Sequence, residues 1–599
     1  MAQELDKVEV VTVGVGWTAG IIAAELGKEG VKVVGLERGE NRDTSDFQMV
    51  HDEYRYALRY ELMQDASRET LTFRNHREER ALPIRQWGSF LPGEGVGGAG
   101  VHWNGQTWRF LPYDLQIKSM TDQKYGRDKL GNEYTLQDWG ITYEELEPYF
   151  YQFEQTAGIS GEENPMGPPR SNPYPTPPMK STPILDRFKE AAGNLGLHPF
   201  MMPSGNLSES YENPDGQRIN ACQYCGFCER FGCEYGAKST PNVTVIPTAL
   251  DTGNFEMRTD ADVVEIIHDG EKATGVRYVD LKSGEEFIQP ADIVVMTSYV
   301  MNNTRLLLQS GLGKPYNPDN GTGVIGKNYC YQILPGATGY FEEEKFNTFM
   351  GAGALGASVD DYNGDNFDHS DLGFIHGGVM SITQTGRRPI ANNPVPKGTP
   401  GWGADFKAQS LRYFNRSLSI GAQGASMPHK NNYMDLDPTY KDAHGNPLLR
   451  LNYDFTEQDR KLHEYLSDRA AEIMEEMGAD IVERATMPDH YDIVPYQTTH
   501  NTGGVIMGDD PETSAVNNYL QMWDHENVFV VGASAFAHNG GYNPTGTVGA
   551  LAYRAAEGIL QYRENGGQLV QGNQKSKSKL AQEAKDQKAK EEKNDRKLA

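Results

Sequence analysis

The sequence predicts an α/β protein, and three observations carry that class. Residues 8–13, VEVVTV, form a short β-branched run of strand length. A glycine turn, Gly14-Val-Gly16-Trp-Thr-Ala-Gly20, leads into an apolar stretch of helical length, IIAAELGKEG, and then a second strand, VKVVGLE, ending at Glu37. Near the other end, Val528–Leu560 repeats the order of strand (VFVVG), glycine loop and helix (GTVGALAYRAAEGIL).

The first unit reads as a Rossmann-type dinucleotide site. Gly14 permits the tight turn, Gly16 lets backbone approach a pyrophosphate, and the helix N-terminus offers amide donors. Glu37 stands 21 residues after Gly16, where a ribose hydroxyl is accepted. Gly20 gives GxGxxxG rather than GxGxxG spacing. An acid at Glu37 suits a free 2′-hydroxyl, as in FAD or NAD. A second glycine run follows, with Gly95, Gly97 and Gly98 before His102-Trp103-Asn104. It allows backbone to lie flush against a flat ligand, and Trp103, Trp108 and Phe110 argue against a merely flexible loop.

Composition excludes other classes. The chain has 599 residues and a formal net charge of −27, so it is a poor nucleic-acid binder. No apolar run approaches the roughly 18–20 residues that span a bilayer. The N-terminal residues lack the pattern of an export signal, so the protein is expected in the cytoplasm, or outside it only with a partner.

Near the C-terminus, His500 precedes a double glycine in THNTGG. Asn543 and Pro544 stand before the last helix, with Thr545 and Thr547 as capping candidates. Histidine titrates near neutral pH, so His500 is a candidate general base, while a lone histidine more often reads as a surface or core residue. His538, in AFAHNGG, lies close by and reads as a residue with no direct role.

Six segments in this order resemble the glucose–methanol–choline (GMC) flavoprotein family: GVGWTAG with LERG, GEGVGGAGVHWNG, DWGITYEELEPYF, NNTRLLLQSG, HNTGGVIMG and VVGASAFAHNGGYNPTGT. The likeness covers nearly the whole chain. It implies a Rossmann-type FAD-binding domain from 1–40, 85–110, 222–340 and 500–565. It also implies a substrate domain with an antiparallel sheet, α+β in character, from 41–84, 111–221 and 341–499. Arg38, Val263, Ala533, Ser534 and Thr545 then join the glycines and Glu37 around FAD. His500 becomes the base and Asn543 the partner of the substrate oxygen. His102 resembles a histidine that in some relatives is bonded covalently to the flavin; the alternative is packing against the ring edge. Trp103 and Asn104 are expected at the flavin or pocket wall, and Gln497 and Asn501 as readers of sugar hydroxyls or packing residues. The implied substrate is a sugar, polyol or sugar acid, with gluconate at C2 foremost.

Four of the five cysteines fall in CQYCGFCERFGC: Cys222, Cys225, Cys228 and Cys233. Disulfides in so short a loop are geometrically awkward. Zinc usually takes two separated pairs. The C-x2-C-x2-C-x4-C run looks more like an iron–sulfur ligand set, although zinc and disulfides stay open on spacing alone. The resemblance implies a cluster, [3Fe–4S] or [4Fe–4S], that carries single electrons onward. It further implies a small accessory subunit and a cytochrome or quinone acceptor. Two other functions stand beside this dehydrogenase: an FAD oxidase with structural cysteines, and a non-catalytic flavin electron-transfer subunit. Cys330 reads as a buried thiol. Residues 160–220 and 340–400 are expected to be irregular, and 571–599, almost all polar and charged, to be disordered or a solvated helix.

Overall fold

The structure is a computed structural model that describes residues 2–47 and 51–572. The charged tail lies outside the described residues except for Gln571 and Gly572. A parallel sheet runs in the order Phe255–Arg258, Val33–Leu36, Val8–Val13, Glu286–Met296, Val528–Val530. The long strand Glu286–Met296 has two uses. Its first half pairs antiparallel with Ala273–Asp280, which pairs in turn with Ala261–His268. Its second half, from Ala291, joins the parallel sheet. Pro290 stands at the changeover, where a missing N–H does least damage to either ladder.

Helix Trp17–Lys28 is buried along nearly its whole length. Gly20 explains how it packs: a Cβ there would lie 2.5 Å from Cγ2 of Val245, on helix Val245–Asp251. The third glycine of the turn motif therefore serves close helix contact. On the same core lies the terminal helix Thr545–Asn565, and against it Tyr143–Ala157, so residues from 111–221 contribute here as well.

A second core lies under an antiparallel sheet ordered Ile481–Arg484, Gly336–Tyr340, Ser417–Gly424, Gly378–Thr385, Gly351–Val359, Phe200–Met201. Helix Glu457–Glu476 covers it with Leu462, Leu466, Ala470, Ile473 and Met474, spaced at three to four residues on one face. Thr456 caps that helix by accepting from the Asp459 amide, and the Asp459 carboxylate accepts from the Thr456 amide in return. Two of the sheet's strands, Gly351–Val359 and Gly378–Thr385, occupy the stretch expected to be irregular. The 160–220 stretch likewise holds helix Pro183–Asn194. Between the two cores, Asn501–Gly504 pairs with Lys327–Tyr331 and carries His500 on its leading edge.

One buried ion cluster ties the glycine-rich loop region to helix Tyr143–Ala157. Arg109 donates from Nε and Nη2 to the Glu154 carboxylate, both at 2.8 Å, and from Nη1 to Glu147 at 2.7 Å. Arg170 grips the same Glu154 at 3.0 and 2.6 Å. Breaking such a pair strands a buried charge, at about 3–5 kcal/mol. Glu154→Met, which leaves Arg170 without its carboxylate, should therefore lower unfolding free energy by that amount in denaturant titration; a loss below about 1 kcal/mol would contradict this account of the cluster.

Candidate active site

The two glycine runs meet as one wall. Gly14, at φ +94°, donates to Leu36 O at 2.7 Å, and Gly97, also at φ +94°, donates to Val15 O at 2.7 Å. A Cβ on Gly16 would stand 3.7 Å from Gly97 O, so backbone alone lines this gap. The Glu37 carboxylate accepts from the amides of Val15 (2.8 Å), Gly39 (3.0 Å) and Gly95 (3.2 Å). Burial pushes its pKa up and the three amides pull it back. A carboxylate offers about four lone-pair sites, so capacity for a hydroxyl remains. Gly14, Glu37, Arg38 and Val263 share one cavity. Arg38 is held there by Glu69 at 3.0 Å and Glu94 at 3.3 Å.

Ser534, in the turn Ala533–Ala535, accepts from Asn303 at 3.1 Å and is buried beside the same sheet. Thr545 opens the terminal helix, but neither threonine caps it. Pro544 holds the cap position without a side-chain bond, and Thr547 Oγ1 is buried without a partner. A proline cannot accept from the first amides, so those donors stay free for a ligand. His102 is buried, and its Nε2 has no partner. The glycine cradle, the orphaned His102 and Thr547 atoms and the free helix end together fit a bound dinucleotide flavin.

The centre of the site is a chain of fixed hydrogen bonds. Trp108 Nε1 donates to Asn543 Oδ1 at 3.1 Å, so the Asn543 amide nitrogen must face the other way. That nitrogen lies 3.1 Å from His500 Nε2. On the far side His500 Nδ1 lies 2.5 Å from Gln332 Oε1. Gln332 is itself oriented, because its amide nitrogen donates to Gly540 O at 2.5 Å and Tyr542 O at 2.9 Å. Gln332 therefore accepts, His500 carries its proton on Nδ1, and Nε2 keeps its lone pair. Desolvation lowers the His500 pKa to about 3, so the ring is neutral. Thr499, just before it, sits at φ +63°, a strained conformation for a β-branched residue. Gln332 went unread in the sequence, since a lone glutamine just past the end of a strand gives no pattern.

His538 has a structural part instead of a direct one. Its Nε2 lies 3.2 Å from Asp114 Oδ1, and His376 Nε2 lies 2.7 Å from the same atom. Trp139 donates to His538 Nδ1 at 3.0 Å, and Gly377 N to His376 Nδ1 at 2.8 Å. Both imidazoles therefore donate to a fully buried carboxylate. This anchors the loop 538–543 at one end. Asn539, next in the chain, donates to His500 O at 2.5 Å.

Four other candidate residues have hydrogen-bond partners within the protein. Gln497 bonds Arg230 and, at 3.1 Å, Glu229 Oε1, so it serves the cysteine loop. Asn501 is held between Tyr329, at 2.5 Å, and Tyr299, at 2.6 Å. Trp103 donates to Ser239 O at 2.9 Å and packs edge-on against Trp17. Asn104 Oδ1 closes a local turn onto Gln106 N at 3.0 Å.

Cys222, Cys225, Cys228 and Cys233 are unpaired and line a single small cavity with Asn206, Phe227 and Lys238. Left-handed Tyr224, Gly226 and Arg230 curl the loop around it. Burial raises the thiols, Cys222 to about 12 and Cys228 to about 11, and neighbouring thiolates add to the rise at both. Four thiols lining one cavity are a donor set of the kind that holds a metal cluster. The loop touches the flavin-side run directly, since Arg230 N donates to His102 O at 2.8 Å. Cys330 is buried apart from them, its thiol raised well above the ordinary range.

Fold and site thus define a dinucleotide oxidoreductase with a histidine–asparagine pair at its centre. Family models described as GMC oxidoreductase match residues 204–334 and 428–552. The chain is 42% identical to "Gluconate 2-dehydrogenase flavoprotein" of Pantoea cypripedii over 95% of its own length and 96% of that protein. It is 28% identical to "Fructose dehydrogenase large subunit" of Gluconobacter japonicus over 94% and 100%. Among solved structures, pyridoxine 4-oxidase from Mesorbium loti superposes with a TM-score of 0.59 at 17% identity, covering 93% of this chain and 99% of that one. The chain belongs to the GMC oxidoreductase family, as an FAD-dependent enzyme acting on CH–OH donors.

The buried imidazoles set an acid limit. His500 and His102 fall to about 3 from an ordinary 6.5. A depressed pKa gives stability that is complete above pH 6.5 and lost as pH falls toward 3. Each group contributes a slope of up to about 1.4 kcal/mol per pH unit in that window. His500→Asn should flatten the loss of unfolding free energy between about pH 6.5 and pH 4. An unchanged slope would show that His500 protonates freely in the folded protein.

Proposed function

We propose that this protein is the flavoprotein of a dehydrogenase for a sugar, polyol or sugar acid, with gluconate oxidised at C2 as the leading reaction. The observation that carries the reading is the orientation of His500, with Nδ1–H committed to Gln332 and a bare Nε2 beside Asn543. Bound FAD would supply the two-electron hydride acceptor, and an iron–sulfur cluster on Cys222, Cys225, Cys228 and Cys233 a one-electron exit. The substrate hydroxyl gives its proton to His500 Nε2, and Asn543 Nδ2–H steadies the same oxygen. The proton is then held at Nε2 while Nδ1–H keeps its bond to Gln332, so the imidazolium loses no partner. His102, with its orphaned Nε2, is the residue for a covalent bond to the flavin.

The gluconate assignment leans on the 42% identical relative and its name. The relay reading leans on the four thiols that line one cavity and on their loop's bond to His102. A small accessory subunit and a cytochrome or quinone acceptor complete the proposed system.

His500→Ala should lower the rate of anaerobic flavin bleaching by gluconate about 10²–10⁴-fold, the usual worth of a positioned base. A loss under tenfold would remove His500 from that role. Iron and acid-labile sulfide should accompany FAD in anaerobically purified protein, with little oxygen consumed during turnover. Absent iron with rapid oxygen uptake would replace this reading with an oxidase.

A further inference from the structure

Lys238 is almost wholly buried, and it lies in the wall of the cysteine cavity. Its Nζ donates to three backbone carbonyls, Trp103 O, Cys228 O and Phe231 O, each at 2.8 Å. Three acceptors require three hydrogens, which the ammonium has and the neutral amine lacks. None of these partners is a carboxylate, so no ion pair cancels the charge locally. Burial lowers its pKa, and the thiols of Cys228, Cys233 and Cys225 would oppose that fall once they give up their protons. Two of the three carbonyls belong to the cysteine loop and the third to the residue after His102. A single buried cation thus joins the flavin-side run to the cysteine centre.

We propose that Lys238 is the electrostatic positioning residue of that centre, raising the reduction potential of a cluster held by the four cysteines. The inference rests on the relay reading above. Substrate oxidation releases two electrons, and each passage through the cluster adds one electron and no atom. A cluster held there would gain one negative charge and pass it on to a one-electron external acceptor. A buried positive charge beside it favours the reduced form, because little solvent screens the interaction. The same cation fixes the spacing of the two loops.

The test is an EPR-monitored redox titration of the holoenzyme, with iron per FAD measured in each sample. Lys238→Met removes the charge and all three donors; Lys238→Gln removes the charge but keeps two donors. Both should retain the wild-type iron content. In both, the cluster potential should fall by at least tenfold in the reduction equilibrium, about 59 mV for one electron. Iron-loaded variants with unchanged potentials would overturn the inference while leaving the relay reading intact. A shift in Met but not in Gln would also overturn it, since only the tether would then matter. Wild-type protein without iron would sink the relay reading and this inference with it. Should neither variant load iron, the wild type decides. A buried charge predicts a potential constant between about 0.05 and 1 M salt, and a potential that falls with salt places the field at the surface.

Discussion

The site depends on one constraint: every hydrogen bond around His500 has a single allowed direction. Trp108 can only donate, so it turns the Asn543 amide; two backbone carbonyls can only accept, so they turn Gln332. Between these oriented amides the imidazole has one tautomer. The helix register, the glycine loop and the strand pair Lys327–Tyr331 with Asn501–Gly504 all serve to bring those four side chains together. Asp114 with its two histidines, and the Tyr542 hydroxyl on buried Asp360, hold the 538–543 loop from behind. Held in this way, the imidazole of His500 needs no charged partner, since its hydrogen bonds run to the neutral amides of Gln332 and Asn543.

A second constraint links the run around His102 to the cysteine loop. The cysteine loop is bonded to the flavin-side run by the Arg230 amide and by the Lys238 ammonium. It is bonded to the approach to His500 by Gln497. The approach to His500 and the cysteine loop are therefore built on shared backbone.

Much of this was legible in the sequence because it is written locally. The turn from Val8 to Glu37 has strand, glycines, helix and acid within one short unit, and its period shows it. The His500 and Asn543 segments stand out by glycine and proline punctuation, and the four cysteines by number. What could not be read is what tertiary contact decides. Gly351–Val359 is GAGALGASV, buried at every position, so it shows no alternation and carries none of the usual strand formers in quantity. Gln332 is an ordinary residue until the loop 540–542 turns its amide. His538 looked like a bystander because its partners, Asp114 and His376, are more than 150 residues away in the chain. Thr545 and Thr547 resembled caps, but Pro544 already occupies the cap position.

The central claim, that His500 offers a bare Nε2, is tested most directly by ¹⁵N NMR of histidine-labelled holoenzyme, with His500 assigned by its absence from His500→Asn. The account predicts a protonated Nδ1 and an unprotonated Nε2 for this residue, unchanged from pH 8 down to about pH 5. A proton on Nε2, or an imidazolium in that range, would contradict it.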